Sequence, residues 1–407
     1  MIYVTSRVYS FLLLTIILVT ASSVLAAVQT ITTTVSQPYG GIFSAEDARV
    51  MATVQARRQT LEKAGTYIES LGIVKSSISK GDLPVLAAGV LETGIAAQKN
   101  YVTQDGFVFE VTARADMNTK TLAGTAADFL KDDALFKKYQ DLREREAGLL
   151  SRMTELIEES RGVEATTKTN PALRQQLQET TNALSAVIWY NKALDLVNHQ
   201  PFTSRTADKM IQYLLTAVGL DPGYAPTCEW LGRLYSTQGK YDRAVEYYRK
   251  ALENERLTLG NNHPDLAAAY NRLGLALHRN GQYDEALETY LEAWKNQIQT
   301  LGENHPDVAT TYNNIGEAWR QKGDYDRAIE YYKKDLEITL GALGRNHLNV
   351  ATSYNNIAYA YHDKGDDDEA IAFFEKALKV YRIALGEDHP QTKTIEENIR
   401  FLKGQRR

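Results

Sequence analysis

The stretch 309-ATTYNNIGEAWRQKGDYDRAIEYYKKDLEI-338 decides the fold. Tyr312, Ile315, Gly316 and Trp319 recur at three- and four-residue intervals, which is one face of a helix. Gly323-Asp324 interrupts the pattern, and Ala328, Tyr331, Tyr332 and Leu336 resume it in a second helix. Gly316 and Ala328 are small enough to let the two helices approach, while the larger side chains fill the space around them. The unit recurs. Leu231-Gly232, Leu273-Gly274, Ile315-Gly316 and Ile357-Ala358 stand 42 residues apart (273 − 231, 315 − 273, 357 − 315). The same offset relates Gly239, Gly281, Gly323 and Gly365, then Ala244, Ala286, Ala328 and Ala370, then Tyr248, Tyr290, Tyr332 and Phe374. A regular repeat of this length predicts a solenoid, in which each unit buries its apolar face against its neighbours. Solenoids of paired helices present long grooves that hold partners and seldom do chemistry.

The pattern resembles the tetratricopeptide repeat, as do residues 225–258, 267–300 and 351–384. Between units, Leu259-Gly260…His263-Pro264-Asp265, Leu301-Gly302…His305-Pro306-Asp307 and Leu343-Gly344…His347 repeat in step. They lengthen the second helix and place Pro at the start of the next, where its missing N–H costs nothing. This long unit is similar to the repeats of kinesin light chain and related adaptors. In the third copy Leu348-Asn349 replaces Pro-Asp, so a softer helix start is expected there. Asp388-His389-Pro390 opens a capping helix in 391–407, which completes an array over 225–390. Residues 191–224 read as one divergent repeat: Leu194, Leu214, Ala217 and Pro222 fall where the family expects apolar, aromatic, Ala and Pro, and Met210 departs at the Ala position. The resemblance covers about half the chain. It is specific for fold and weak for function.

Arg7 is the only charged residue before Glu46. An apolar run from Phe11 to Val19 follows, then Ala21-Ser22-Ser23 and Val24-Leu25-Ala26. This order predicts a secretory signal over 1–26, cleaved after Ala26. The apolar stretch can also be extended from Val8 to Val28 and kept as an anchor; the short core favours cleavage. No Cys follows the core, which excludes a bacterial lipoprotein anchor. The expectation is a periplasmic or secreted chain, soluble after cleavage. With Cys228 as its one cysteine, an exported chain has no intramolecular disulfide and must be held by packing. Cys228 reads as a small buried apolar residue of the first clear repeat. A formal net charge of −5, or −6 without Arg7, argues against nucleic-acid binding.

Residues 27–118 read as a small α+β domain. Thr30–Val35 alternate as a short strand, and 44-SAEDARVMATVQARRQTLEKAGTYIES-70 is helical, with Ser44 and Asp47 in the places of an N-terminal capping box. Ala48, Met51, Ala52, Ala56, Leu61 and Ala64 give that helix a small-residue face for packing on a sheet. Ile95–Val102 and Phe107–Ala115 are strand-like, and Gln104-Asp105-Gly106 between them is a hairpin signal. The segment looks like the N-terminal domain of the bacterial flagellar assembly protein T and related envelope proteins. Ala48-Arg49, Ala56-Arg57-Arg58-Gln59, 64-AGTYIES-70, an Ala88-Gly89 turn and 109-FEVTA-113 carry the likeness, which implies an exported envelope protein. Residues 119–190 form a helical hairpin or linker. Leu135, Tyr139, Leu142, Leu149, Met153 and Leu156 keep a three/four spacing broken once by Glu146, and Leu173, Leu177, Leu184 and Val187 repeat it after Asn170-Pro171. The seam serves either dimerisation or burial against the chain's own neighbouring helix; fewer than three clean heptads favour burial. The fold class is therefore an α+β N-terminal domain, an all-α helical linker and an α-solenoid of tetratricopeptide repeats.

There is no nucleophile elbow, phosphate-binding glycine loop, HExxH or CxxC. His263, His305, His347 and His389 invite a metal, but they recur at the repeat's spacing, too far apart to share an ion; each reads as part of an inter-repeat turn. Asp366-Asp367-Asp368-Glu369 reads as a solvated turn favouring the next helix's N-terminus, rather than a calcium site. The suggestive constellation is Asn271, Asn313 and Asn355, in equivalent places of three consecutive first helices. In the arrays this motif resembles, that place faces the concave groove. His278, Arg320 and His362 recur beyond them, with Arg233, Leu275, Glu317 and Tyr359 between. A ladder of Asn amides can hydrogen-bond an extended peptide's backbone whatever its sequence. The alternative is that Asn313 and Asn355 satisfy neighbouring helix backbones. The Lys/Asn carboxylate clamp of some such arrays is not matched, since Glu229 stands where its first Lys would be. The expectation is a non-enzymatic scaffold with no cofactor, metal, nucleic acid or small-molecule substrate, binding a protein or peptide and associating with envelope proteins. The alternatives are a structural subunit of an envelope, flagellar or secretion assembly, and a regulatory subunit of an enzyme.

Overall fold

The computed structural model describes residues 28–404 apart from 41, 74–77, 105, 164–170 and 200. The expected signal segment, Gly41, Asp105 of the hairpin turn and Asn170 lie outside the described residues. Contacts divide the chain into two compact units, one ending at Pro222 and the other beginning at Gly223.

The first unit starts with β1 (Val28–Tyr39), then α1 (Ala45–Ser70), α2 (Leu83–Val90), β2 (Glu92–Thr103) and β3 (Gly106–Asn118). The strands form one antiparallel sheet in the order β1-β3-β2, with Val35 opposite Val111 and a register shift between Ile95 and Ala97. Alternation is what buries one face: Val111, Ala113, Ala115 and Met117 of β3 are sealed. The small residues Ala52 and Ala56 of α1 pack there against Val35, Val111 and Ala113. The capping box of α1 closes with Asp in place of the usual Glu: the Asp47 N–H donates to Ser44 Oγ at 3.2 Å, and the Ser44 N–H donates to Asp47 Oδ2 at 2.8 Å.

One expectation is corrected. Ala88 and Gly89 do not form a turn; they lie inside α2, a helix buried along its whole length, with Pro in its first turn. Gly89 is required by closeness, because a Cβ there would stand 2.1 Å from the Phe129 ring. That ring belongs to α3 (Leu122–Phe129), which is followed by α4 (Asp133–Val163), α5 (Pro171–His199) and α6 (Ser204–Leu220). Met153 and Leu156 of α4 and Leu173, Leu177 and Leu184 of α5 are buried together with Val50, Met51 and Val54 of α1. The hairpin seam is thus used within the chain. Glu146 breaks the apolar spacing because it is buried with Arg57 of α1, whose Nη1 lies 3.3 Å away, and Asn191 of α5, whose Nδ2 donates to it at 2.9 Å. Residues 191–224 comprise the end of α5 and all of α6, which pack on each other; Met210 is fully buried there.

The second unit is four helix pairs and a final helix. They are α7 (Ala225–Thr237) with α8 (Tyr241–Leu259), α9 (Asp265–Arg279) with α10 (Tyr283–Leu301), α11 (Pro306–Gln321) with α12 (Tyr325–Leu343), α13 (Leu348–Lys364) with α14 (Asp367–Leu385), and α15 (Pro390–Gly404). The repeated Gly of each first helix accepts the aromatic ring of its own second helix. A Cβ at Gly316 would stand 2.8 Å from Tyr332, and Gly232 and Gly274 stand likewise against Tyr248 and Tyr290. In the last pair Ala358 replaces Gly and Phe374 replaces Tyr, and Tyr359 meets the Phe374 ring edge-on at 5.1 Å. Buried side chains run from pair to pair as shared clusters, so each pair completes its core with the next. Cys228 is buried.

Candidate functional site

The four histidines occupy the inter-repeat turns. In each, Nδ1 accepts the backbone N–H two residues on, from Asp265, Asp307, Asn349 and Gln391, at 3.2–3.3 Å. The imidazole thus satisfies one of the orphan donors that every helix start carries. His347 caps α13 as His305 caps α11, so the loss of Pro-Asp in the third copy leaves the cap in place.

The row of asparagines lies on α9, α11 and α13, and the three are half-buried. Two of them link successive first helices side by side. Asn271 Nδ2 donates to Thr311 Oγ1 at 2.8 Å, and the Thr311 hydroxyl donates in turn to Gln297 Oε1 at 2.7 Å. Asn313 Oδ1 accepts from Asn356 Nδ2 at 2.7 Å. Asn271 Oδ1 and Asn355 Oδ1, together with His278 Nε2, have no hydrogen-bond partner among the described residues. Burial holds the His278 imidazole below its ordinary value, and its ring packs on Tyr283 at 5.4 Å. In the last repeat the equivalent pair is His362 and Asp367, joined by a 2.8 Å hydrogen bond.

The charged members of the set are committed. Glu317 takes Arg320 on both carboxylate oxygens at 2.8 and 3.0 Å, with Gln321 at 2.8 Å and the Tyr332 hydroxyl at 2.7 Å. Arg320 reaches on to Asp363 of the next repeat. Burial pulls the Glu317 carboxyl up, but the hydrogen bonds from Arg320, Gln321 and Tyr332 outweigh it and set the group down to about 2. The hydrogen bond that Arg320 donates to Glu317 leads in raising Arg320 above its ordinary value, and burial leads in raising Tyr332. Arg233 is exposed, with its guanidinium 4.5 Å over the Trp230 ring, and the Tyr359 hydroxyl accepts from Asn398 at 2.9 Å. The structure therefore brings Asn271, Asn313 and Asn355 into one row, ties Glu317 and Arg320 to each other, and leaves Arg233 in the first pair.

Sequence reading missed Asp335. It lies on α12, is 6 % exposed, and accepts from Ser353 Oγ at 2.6 Å and Thr339 Oγ1 at 3.0 Å. Its burial raises the carboxyl above its ordinary value, against those two hydrogen bonds. The signal was in the register: Ala251, Ala293 and Ala377 occupy the same place in the other pairs.

Residues 227–297, 265–340, 307–383 and 349–399 match the tetratricopeptide repeat family, and the array is made of such repeats. No curated protein matches the chain. Among solved structures the chain is similar to BtubC (BKLC) from P. vanneervenii, at 27 % identity, with 49 % of this chain and 80 % of that one covered and a TM-score of 0.42. It is similar to TPR-like repeats assigned to a kinesin light chain of Podosopora anserina, at 22 % identity, 44 % and 90 % coverage and a TM-score of 0.40. It is also similar to YrrB, described as a TPR protein with an unusual peptide-binding site, at 20 % identity, 52 % and 92 % coverage and a TM-score of 0.36.

Proposed function

We propose that this chain is an exported scaffold, itself without catalytic activity, whose repeat array holds an extended segment of a partner protein along the first-helix face. The asparagine row carries the reading. Asn271, Asn313 and Asn355 stand on successive first helices, and the carbonyl oxygens of Asn271 and Asn355 lack a donor among the described residues. A polar group buried without its hydrogen bond costs about 1–3 kcal/mol. Both oxygens are themselves sealed, so the reading requires these half-buried side chains to rotate outward on binding, where a peptide backbone supplies N–H donors at regular intervals without regard to sequence. The N-terminal α+β domain, read with its resemblance to the flagellar assembly protein T domain, docks the scaffold to another envelope component.

The test is affinity capture of the mature protein's partner from envelope extract, followed by binding isotherms. Replacing Asn271, Asn313 and Asn355 together by Ala is expected to weaken binding by roughly 0.5–1.5 kcal/mol per lost hydrogen bond. The same change removes the Asn271–Thr311 and Asn313–Asn356 links, so a stability loss of similar size is expected alongside. Asn356→Ala cuts one of those links from the other side and separates the effects: stability should fall while affinity holds. Unchanged affinity in a folded triple variant would remove the row from the binding site. Export has its own check. Fractionation and N-terminal sequencing should give a mature chain starting at or near Ala27, and a full-length cytoplasmic product would end that part of the reading.

A further inference from the structure

The junction between the third and fourth pairs differs from the one before it. At the earlier junction Gln297, 3 % exposed, fills the space beneath α11 and accepts from Thr311. The place of Gln297 is taken by Glu255 and Tyr381 in the first and last pairs, but by Thr339 in the third. The shorter Thr339 leaves a cavity of about 150 Å3 among α11, α12 and α13, roughly ten times what one water needs. Into the same junction the third pair places Asp335, where every other pair has Ala. Asp335 is the single residue of the lining that carries a formal charge; Thr310 and Asn313 line the α11 side, and Asn349 and Ser353 the α13 side. Two neutral hydroxyls are its hydrogen-bond donors, and the unpaired charge leaves the carboxyl raised by burial. A buried carboxylate with no counter-charge beside an open cavity is complementary to a cation. Asn313 belongs both to this cavity and to the asparagine row, so the cavity adjoins the path proposed for the peptide.

We propose that the cavity floored by Asp335 seats a basic side chain, Lys or Arg, of the segment held along the asparagine row. The inference rests on the groove reading for the identity of its occupant. The ammonium or guanidinium meets Asp335, the amides of Asn313 and Asn349 accept from its remaining N–H groups, and Ala342 and Leu343 receive the apolar stem. The array thereby gains what a backbone-binding ladder lacks, a single position at which sequence is read.

The experiment uses the full chain, with Asp335→Ala, which restores the residue of the other pairs, and Thr339→Gln, which refills the cavity as the preceding junction does. Random nonapeptides displayed on phage are selected against each protein, and n-butylammonium chloride is titrated separately by NMR. The expectation is that peptides selected on the native protein carry Lys or Arg at one fixed position. A synthetic copy with norleucine there should bind about tenfold more weakly, the scale of one charge-assisted hydrogen bond. That difference should vanish on both variants, and butylammonium should shift the Thr339 and Ala342 signals of the native protein alone. Selected peptides without a fixed basic position, or equal binding of the lysine peptide to native and Asp335→Ala proteins, overturn the proposal. So does butylammonium that shifts both proteins alike or neither. Peptides that bind equally to the triple Asn variant instead overturn the groove reading, and the amine titration still decides the cavity.

Discussion

Glu146 in the N-terminal unit and Asp335 in the repeat array are both nearly sealed carboxylates, 4 % and 6 % exposed. Glu146 is met by Arg57 and by the Asn191 amide, from helices far apart in the chain. Asp335 is met by two hydroxyls and a cavity. The first arrangement closes on itself: charge is neutralised where it is buried, and three helices are fixed by one knot. The second stays open, because neighbour-only packing leaves each junction free to differ from the next. Burying charge in a non-repeating unit therefore serves register, whereas in the array it marks one junction among several.

The largest expected effect breaks the closed knot. Glu146→Ala leaves the Arg57 guanidinium with Asp195, 3.9 Å away, in place of its closest carboxylate and one Asn191 donor unmet, and should cost about 3 kcal/mol. Hydrogen exchange followed by mass spectrometry should show α1, α4 and α5 losing protection together while α9–α14 keep theirs; a loss below about 1 kcal/mol would deny the knot its structural role. In the array the cost is smaller and differently spread. Gly316→Val drives a side chain into the Tyr332 ring and should cost roughly 1–3 kcal/mol by overpacking. Protection should fall in α11 and α12 and extend into α10 and α13, fading with distance along the array. A uniform loss across all pairs, or none, would contradict neighbour-only coupling.

The smallest effect sharpens the comparison through pH. Glu317, set down to about 2, contributes stability that is fully present above the ordinary glutamate value near 4.3 and is lost as pH falls from there towards 2. Asp335 has the opposite sign. Its raised carboxyl favours the folded state when protonated, so its contribution is fully present below the ordinary aspartate value of about 3.9 and is lost as pH rises through its raised value. Thermal midpoints across that range should fall less steeply in acid for Glu317→Gln than for the native protein. Relative to Asp335→Ala, the native protein should gain stability as pH falls. A native curve parallel to both variants would refute both assignments.

Much of this was legible in the chain. Period 42 and the Gly/Tyr alternation specify helix pairs because each side chain's neighbours lie within one or two units. The strands and the long helix of the first unit were equally plain from alternation and small-residue spacing. Helix α2 was not, because 83-LPVLAAGV-90 is apolar on every side and so has no face for periodicity to report. Glu146 read as a flaw in its seam, since its partner Arg57 lies 89 residues away. On the array the asparagine row was readable as a register, but not its links to Thr311 and Asn356, which join different repeats. Arg320 was readable as a member of the recurring set beside the asparagines, but not its ties to Glu317 and Asp363. Asp335 hid at a position where only comparison with Ala251, Ala293 and Ala377 exposes it.

Glycines with positive φ end the helices at 239, 281, 323 and 365, and again at 260, 302, 344 and 386. Every period therefore enters and leaves with the same backbone geometry. At the level of the gene, an in-frame gain or loss of one whole period by unequal recombination rejoins the chain at equivalent points, with each turn and histidine cap restored. Such an event changes the array's length without inventing a new join. A deletion that removes Thr339 and Asp335 would erase the junction where an acidic residue replaces Ala. The N-terminal unit has no comparable seam, because any excision between Arg57 and Glu146 takes away sheet and helices that no neighbouring copy can replace.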